Sequence, residues 1–204
     1  NPLFQTAIRP LLANPADEAL HARVAQPLER IRGLRGYDAL MLVTTGGEVR
    51  PEVRRLLDAG CSVAGVDLFG QGEFQADGQP LKVTRRTKNP REAAAYTFGY
   101  NPAVFAQRVQ DIGTMLSLGR RNPSTAPKPV SIVALDETGP LATLATAMST
   151  VPIDAAIIQT GGFRFGNVLD LQSPAFLPAG AKYGDLPGAL AIARERAPRM
   201  LVLG

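Results

Sequence analysis

The sequence is poor in the residues that most often hold metals or perform acid–base chemistry. Its 204 residues include one cysteine, one histidine and no tryptophan. A lone Cys61 cannot form an intrachain disulfide, and Cys61 with His21 does not supply the ligand spacing of a zinc site. The composition therefore excludes a disulfide scaffold and a Cys/His zinc centre. We expect no metal and no other cofactor, and we expect His21, in a polar Ala-rich segment, to be a solvated helix residue.

Long apolar runs and concentrated charge are also missing. No stretch approaches the roughly 20 apolar residues that span a bilayer, so we expect no membrane span. The 22 Lys and Arg exceed the 18 Asp and Glu, which gives a net charge of +4, but the arginines are scattered and aromatic residues rarely lie among them. Nucleic-acid binding is therefore not favoured. With 45% apolar residues, the chain can bury one sizeable core.

What the sequence does contain is a regular alternation of short aliphatic runs and helical runs. This alternation is typical of a parallel sheet that is covered by helices. We therefore predict an α/β fold, with a mainly parallel sheet flanked by helices. The predicted strands lie near residues 39–43, 61–66, 130–135, 153–158 and 199–203. The predicted core comprises Leu40, Leu42, Val63, Val66, Ile132, Val133, Ile157, Leu201 and Val202.

Capping residues indicate where the helices begin and end. Pro51 suits the first turn of one helix, and Gly60 suits its C-terminal cap. Asn101 is predicted to cap a long helix that has Pro102 at its first position. Asp185 is predicted to cap a later helix.

The domain organisation follows from the same pattern. Residues 1–36 are predicted to form a helical segment, with a helix from Asp17 to Ile31, that packs on one domain formed by residues 37–204. A buried strand is seldom the end of a chain, and the last predicted strand ends beside Gly204. We therefore expect this sequence to be a piece of a longer protein, truncated before the last strand of the fold.

Four short motifs follow one another along the predicted domain. They are Val43–Gly47, Asp67–Gly72, Val133–Pro140, and Gly161–Phe165 followed by Lys182–Pro187. Their order and spacing resemble the α/β-hydrolase superfamily, and most closely its bacterial acetyl xylan esterase and dienelactone-hydrolase-like branch. The resemblance implies an α/β-hydrolase-like domain related to carboxylic ester hydrolases, whose acidic and histidine triad members would lie beyond Gly204. An extracytoplasmic location is compatible with this resemblance.

The resemblance places Asp136 at the position of the catalytic nucleophile. In that fold the nucleophilic serine of a G-x-S-x-G motif occupies a sharp strand-to-helix elbow. Aligning Val133–Gly139 on this elbow puts Ala134 and Thr138 at the two small positions and Asp136 at the serine. Aspartate acts as the nucleophile in dehalogenase and epoxide-hydrolase relatives of the fold. The alternative is a degenerate elbow, in which a carboxylate near a helix N-terminus is stabilised without any chemistry.

The other candidate site residues also carry two interpretations each. The resemblance places Gly46, Gly47 and Glu137 at the oxyanion hole, whereas two glycines after a strand are equally typical of an ordinary turn. Arg164 is a candidate for binding an anionic or sugar substrate, and the alternative is an ion pair that anchors its loop. We expect Asp67 to be structural, through hydrogen bonds to nearby loop N–H groups.

Three functions remain open at this stage. The first is hydrolysis of a small ester or of an acetylated carbohydrate, as the resemblance implies. The second is a non-catalytic α/β-hydrolase-like domain that binds carbohydrate or a protein partner. The third is a nucleotide-binding doubly wound domain, which is disfavoured because neither G-x-x-x-x-G-K nor G-x-G-x-x-G occurs.

Overall fold

The computed structural model describes residues 51–61, 63–72, 75–77, 79–85, 87, 94–120 and 129–204. The chain forms two compact units, Asn1–Val66 and Asp67–Gly204. The predicted helix at 17–31, the strand at 39–43, the domain boundary at residue 36, and the residues His21, Gly46 and Gly47 lie outside the described residues. These predictions therefore stay predictions.

In the first unit, helix α1 spans Pro51–Asp58 and ends as its sequence predicts. Gly60 adopts a left-handed backbone conformation, with φ of +80°. The N–H of Gly60 donates to the Leu57 carbonyl, and the N–H of Cys61 donates to the Leu56 carbonyl. This pair of bonds is a Schellman motif, which satisfies the last carbonyls of the helix.

The predicted strand at 61–66 is wrong for the residues that the structure describes. Cys61 and Val63–Val66 have no regular secondary structure. A strand exists only where its backbone pairs with a neighbour. An apolar run by itself therefore does not establish a strand.

The second unit contains a sheet of three parallel strands. Strand β1 spans Ser131–Ala134, β2 spans Ala155–Gln159 and β3 spans Arg199–Leu203, in the spatial order β1-β2-β3. Val133, Ile157 and Leu201 lie side by side in the ladder. These strands and their parallel direction confirm the α/β class and the last three predicted strands.

Helices connect and cover the strands. Helix α2 spans Ala94–Phe98, and α3 spans Val104–Arg120. Helix α4, Gly139–Ala147, joins β1 to β2, and α5, Asp185–Arg196, joins β2 to β3. Two 3₁₀ turns, Asp136–Thr138 and Phe165–Asn167, follow β1 and β2. None of the described helices combines the length and the apolar character needed to cross a membrane.

Asn101 does not cap the long helix, and this corrects a prediction. The side-chain amide of Asn101 donates to the Thr97 carbonyl at 2.8 Å, inside the preceding helix. Helix α3 begins only at Val104. Asn101 therefore satisfies a carbonyl near the end of α2, and a short helix that the sequence pattern did not reveal explains the difference.

The core lies on one face of the sheet. Helix α4 contacts both α3 and α5 as well as strands β1 and β2. The main cluster of buried residues combines helix and strand side chains: Leu116, Ala134, Ala142, Ile153, Ala156, Ile158 and Ala197. Ile158, the residue before the last of β2, is completely buried.

The opposite face explains where the predicted core was wrong. Val133, Ile157 and Leu201 are 40%, 37% and 54% exposed. Successive residues of a strand point to opposite faces. The continuous aliphatic runs predicted burial on both faces, whereas α3, α4 and α5 cover the face that carries Ala134 and Ile158.

Candidate functional site

The site forms where β1 and β2 end. We call the turn Leu135–Gly139 the elbow. Because β1 and β2 are parallel, their carboxyl ends lie at the same edge of the sheet. The N–H of Asp136 donates to Oε1 of Gln159, the last residue of β2, at 3.1 Å. The elbow therefore carries Asp136 to the edge at which α/β proteins bind their ligands.

Asp136 has an unusual backbone conformation. Its φ is +56°, in the left-handed region that residues with a Cβ seldom adopt. Within the elbow, Thr138 donates from both its N–H and its hydroxyl to the Leu135 carbonyl, at 3.3 and 2.7 Å. The strand therefore turns into helix α4 within a few residues, with Asp136 at the strained position.

The closest backbone approach in the elbow falls at Gly139. A Cβ added to Gly139 would overlap the carbonyl oxygen of Gln159. The alignment with G-x-S-x-G predicted the small residue at Thr138 instead. The close contact with the end of β2 thus falls at Gly139, the first residue of α4, one position later than predicted. Thr138 is tolerated because its hydroxyl donates to the Leu135 carbonyl within the elbow.

Glu137 lies near a buried arginine that the sequence analysis missed. Arg108 of α3 is only 8% exposed. Burial lowers the pKa of the Arg108 guanidinium, and the Glu137 and Asp111 carboxylates act in the opposite direction. The sequence contained one indication of this burial. Arg108 lies one turn after Phe105, on the predicted apolar face of α3.

A second loop is held by the same helix. We call Asp67–Gly72 the Phe69 loop. Asp111 Oδ2 accepts the Phe69 N–H at 2.8 Å, and Arg108 Nε donates to the Phe69 carbonyl at 2.9 Å. The Asp67 carboxyl group lies where a Cβ of Gly72 would be, so this side chain folds back over its own loop. That position agrees with a structural role for Asp67.

Arg164 lies in the loop that follows β2, whereas the elbow follows β1. Its Nη1 donates to the Phe163 carbonyl at 2.8 Å, and its charge acts on the Asp185 carboxylate. Asp185 in turn accepts N–H groups from Phe165 and Gly166. These contacts agree with the loop-anchoring interpretation of Arg164, and they leave its substrate-binding role a prediction.

A sizeable pocket among the described residues lies elsewhere. It is a mostly apolar groove of about 660 Å³ between α3 and the C-terminal half of α4. Val109, Gly113, Leu144 and Met148 line it, and no elbow residue does. The groove therefore lies apart from the elbow, which is at the N-terminal end of α4.

Comparisons with protein-family models, with curated proteins and with solved structures returned no match to this chain. Within the described ranges, no three His, Cys, Asp or Glu residues are grouped so that they could hold a metal ion. What the structure defines is the class of the fold, a parallel α/β arrangement with an elbow at the carboxyl edge of its sheet.

Proposed function

We propose that this chain is an α/β-hydrolase-like domain, related to acetyl xylan esterases and other carboxylic ester hydrolases, whose elbow has lost the chemistry of a serine esterase. In this proposal the domain binds a small ester or an acetylated carbohydrate at the carboxyl edge of the sheet without cleaving it. Asp136 occupies the position of the nucleophile and serves the structure of the elbow.

The observation that carries the proposal is the backbone of Asp136. A residue with φ of +56° between a parallel strand and the helix that follows is the arrangement of a nucleophile elbow. The close approach of Gly139 to Gln159 supports the same arrangement, because small residues beside the nucleophile let helix and strand come together. The strand order β1-β2-β3, with a helix in each connection, is compatible with it.

The loss of esterase chemistry is inferred from the residue type. Serine esters form when a hydroxyl attacks the carbonyl carbon of the substrate. At Asp136 a carboxylate stands in that place, close to the N-terminal end of α4, where the helix dipole stabilises negative charge. The Asp136 N–H donates to Gln159 Oε1, so this bond holds the elbow against the end of β2.

The first experiment tests the claim that the domain does not cleave esters, by measuring turnover of chromogenic acetate and butyrate esters with the full chain. We expect background rates for the wild type and for Asp136→Asn. If the wild type hydrolyses an ester, and Asp136→Asn abolishes this hydrolysis with an unchanged melting temperature, Asp136 is a nucleophile and the proposal is wrong.

Binding is measured separately with acetylated and deacetylated xylo-oligosaccharides by calorimetry. We expect heat of binding with the acetylated sugar and a weaker signal with the deacetylated one. Arg164→Gln, at the exposed loop after β2, tests whether that side chain contributes to affinity. If neither sugar binds, the proposal that the domain binds an acetylated carbohydrate is wrong, and a protein partner is favoured.

A further inference from the structure

The groove between α3 and the C-terminal half of α4 has the size of a ligand pocket. Its volume of about 660 Å³ lies within the range of roughly 300–1,000 Å³ that is usual for small-molecule sites. The wall that α3 provides extends from Ala106 to Leu118, which is about 18 Å at roughly 1.5 Å per helical residue. Leu177, from the segment between β2 and α5, also lines the groove. The groove is therefore long compared with its volume, and three segments of the chain form its walls.

The lining of the groove is uncharged. None of the described residues that line it is an aspartate, glutamate, lysine or arginine. The Thr114 hydroxyl donates to the Gln110 carbonyl at 2.9 Å. The Ser117 hydroxyl donates to the Gly113 carbonyl, also at 2.9 Å. Both hydroxyls use their donor within the helix, so the groove fits a hydrocarbon better than it fits a sugar or an anion.

Gly113 leaves the backbone of α3 open to the groove. Glycine inside a helix is destabilising relative to alanine, and one use of it is to let a ligand approach the backbone closely. A Cβ at Gly113 would meet no atom within 4 Å, so packing within the described residues does not require glycine here. Two large apolar side chains of the same lining, Leu118 and Met148, are 55% and 72% exposed. A ligand in the groove would remove their apolar surface from water.

We propose that this groove binds one linear hydrocarbon chain, as in an aliphatic alcohol or a fatty acyl group, with the polar end of the ligand in water. The length of the α3 wall selects an extended chain, and the uncharged lining selects an apolar one. Gln110 and Thr150, two further polar residues of the lining, are exposed, so they leave the polar end solvated. This inference goes beyond the proposed function, because the groove lies apart from the elbow and binds its ligand whether or not the elbow binds an ester.

Titration of the full chain with 1-hexanol, 1-octanol and 1-decanol tests the proposal, followed by NMR of ¹³C-labelled methionine methyl groups. We expect a saturable shift of the Met148 methyl signal, whereas Met200, which packs against the core cluster, should not respond. The affinity should rise by about fourfold for each added CH₂ group, because each group is buried in an apolar site. The absence of a saturable shift at Met148, or an affinity that is independent of chain length, would overturn the proposal.

Two glycines of α3 form a matched pair for the second test. Gly113 lines the groove and Gly119 does not, and a Cβ at Gly119 would make an ordinary contact with Val130 at 3.9 Å. We expect Gly113→Leu to weaken decanol binding by about tenfold or more, because the leucine side chain fills volume that the ligand needs. Gly119→Ala should leave the affinity unchanged. A Gly113→Leu variant that is folded by circular dichroism and binds decanol as the wild type does would contradict the proposal.

Met148→Lys is a variant that does not alter the backbone of α3. Because Met148 is mostly exposed, lysine leaves the core packing unchanged while it places a charge on the apolar lining. We expect weaker decanol binding and an unchanged sedimentation coefficient. If the wild type is instead a dimer that Met148→Lys dissociates, the occupant of the groove is a second copy of this chain, and the proposal is wrong.

Discussion

Asp136 and Asp185 both have left-handed backbone conformations near the start of a helix, with φ of +56° and +55°. Aspartate tolerates this region better than most residues with a Cβ, because its short side chain can bond to the local backbone. Asp185 does so with three N–H groups: Phe165 and Leu186 donate to Oδ1, and Gly166 donates to Oδ2. Its carboxylate thus joins the start of α5 to the loop after β2.

We expect Asp185→Ala to cost about 1–2 kcal/mol of unfolding free energy, because three N–H donors lose their acceptor and alanine is strained at this φ. Asp185→Asn should cost less, since asparagine tolerates the conformation and keeps one acceptor oxygen. Urea denaturation measures both. A negligible loss for both variants would mean that the carboxylate is not the acceptor that matters.

The same carboxylate predicts a dependence on pH. Burial raises the pKa of Asp185. The N–H groups of Gly166, Phe165 and Leu186 and the charge of Arg164 together lower it by more than burial raises it, so the pKa lies below its ordinary value. A lowered pKa means that the contribution to stability is complete above the unfolded value of about 3.9 and is lost as the pH falls through the folded value. The stability difference between wild type and Asp185→Asn should therefore shrink in acid and stay constant near neutrality.

Gly139 and Gly113 form a matched pair of helix glycines. At Gly139 an added methyl group would overlap the Gln159 carbonyl, whereas at Gly113 of α3 no atom lies within 4 Å. We expect Gly139→Ala to destabilise the protein by about 2–3 kcal/mol or more through overpacking. Gly113→Ala should stabilise it by roughly 0.5–1 kcal/mol through helix propensity. Thermal unfolding distinguishes them, and a neutral Gly139→Ala would contradict the close approach of α4 to β2.

At the scale of elements, strand β2 presents different surroundings on its two faces. Ile158 is completely buried against the helices, and Ile157 is 37% exposed on the other face. In the parallel ladder Ile157 pairs with Val133 and Leu201, so the exposed positions form a row across the sheet. Only one face of this sheet is therefore packed as a helix-covered core among the described residues.

This difference predicts unequal costs for the same substitution. Ile158→Ala should lower the unfolding free energy by about 2–4 kcal/mol, because it leaves a cavity against α4. Ile157→Ala should cost about 1 kcal/mol or less, mainly through reduced β-propensity. Chemical denaturation of both variants measures the difference. A loss at Ile157 as large as that at Ile158 would show that something covers the row of exposed side chains.

At the scale of the whole molecule, local patterns predicted the elements but not all of their roles. Strand β3 was predicted with its observed bounds, and the helix end at Gly60 was predicted from one residue. Asn101 was assigned to the wrong helix, because the competing acceptor, the Thr97 carbonyl, belongs to a short helix without a clear pattern. The tight turn at Asp136 was predicted, whereas the burial of Arg108 was not, because its partner, the Phe69 carbonyl, is distant in sequence.

The sequence by itself determined the α/β class, three strands near 130–135, 153–158 and 199–203, and the tight turn between β1 and α4. Aliphatic runs, prolines and turn residues act within a few positions, so their effects can be recognised without the fold. Only the tertiary structure decided which face of the sheet the helices cover, that Gly139 crosses Gln159, and that Arg108 lies beneath the Phe69 loop. Each of these depends on contacts between segments far apart in the chain, where packing and not local preference sets the free energy.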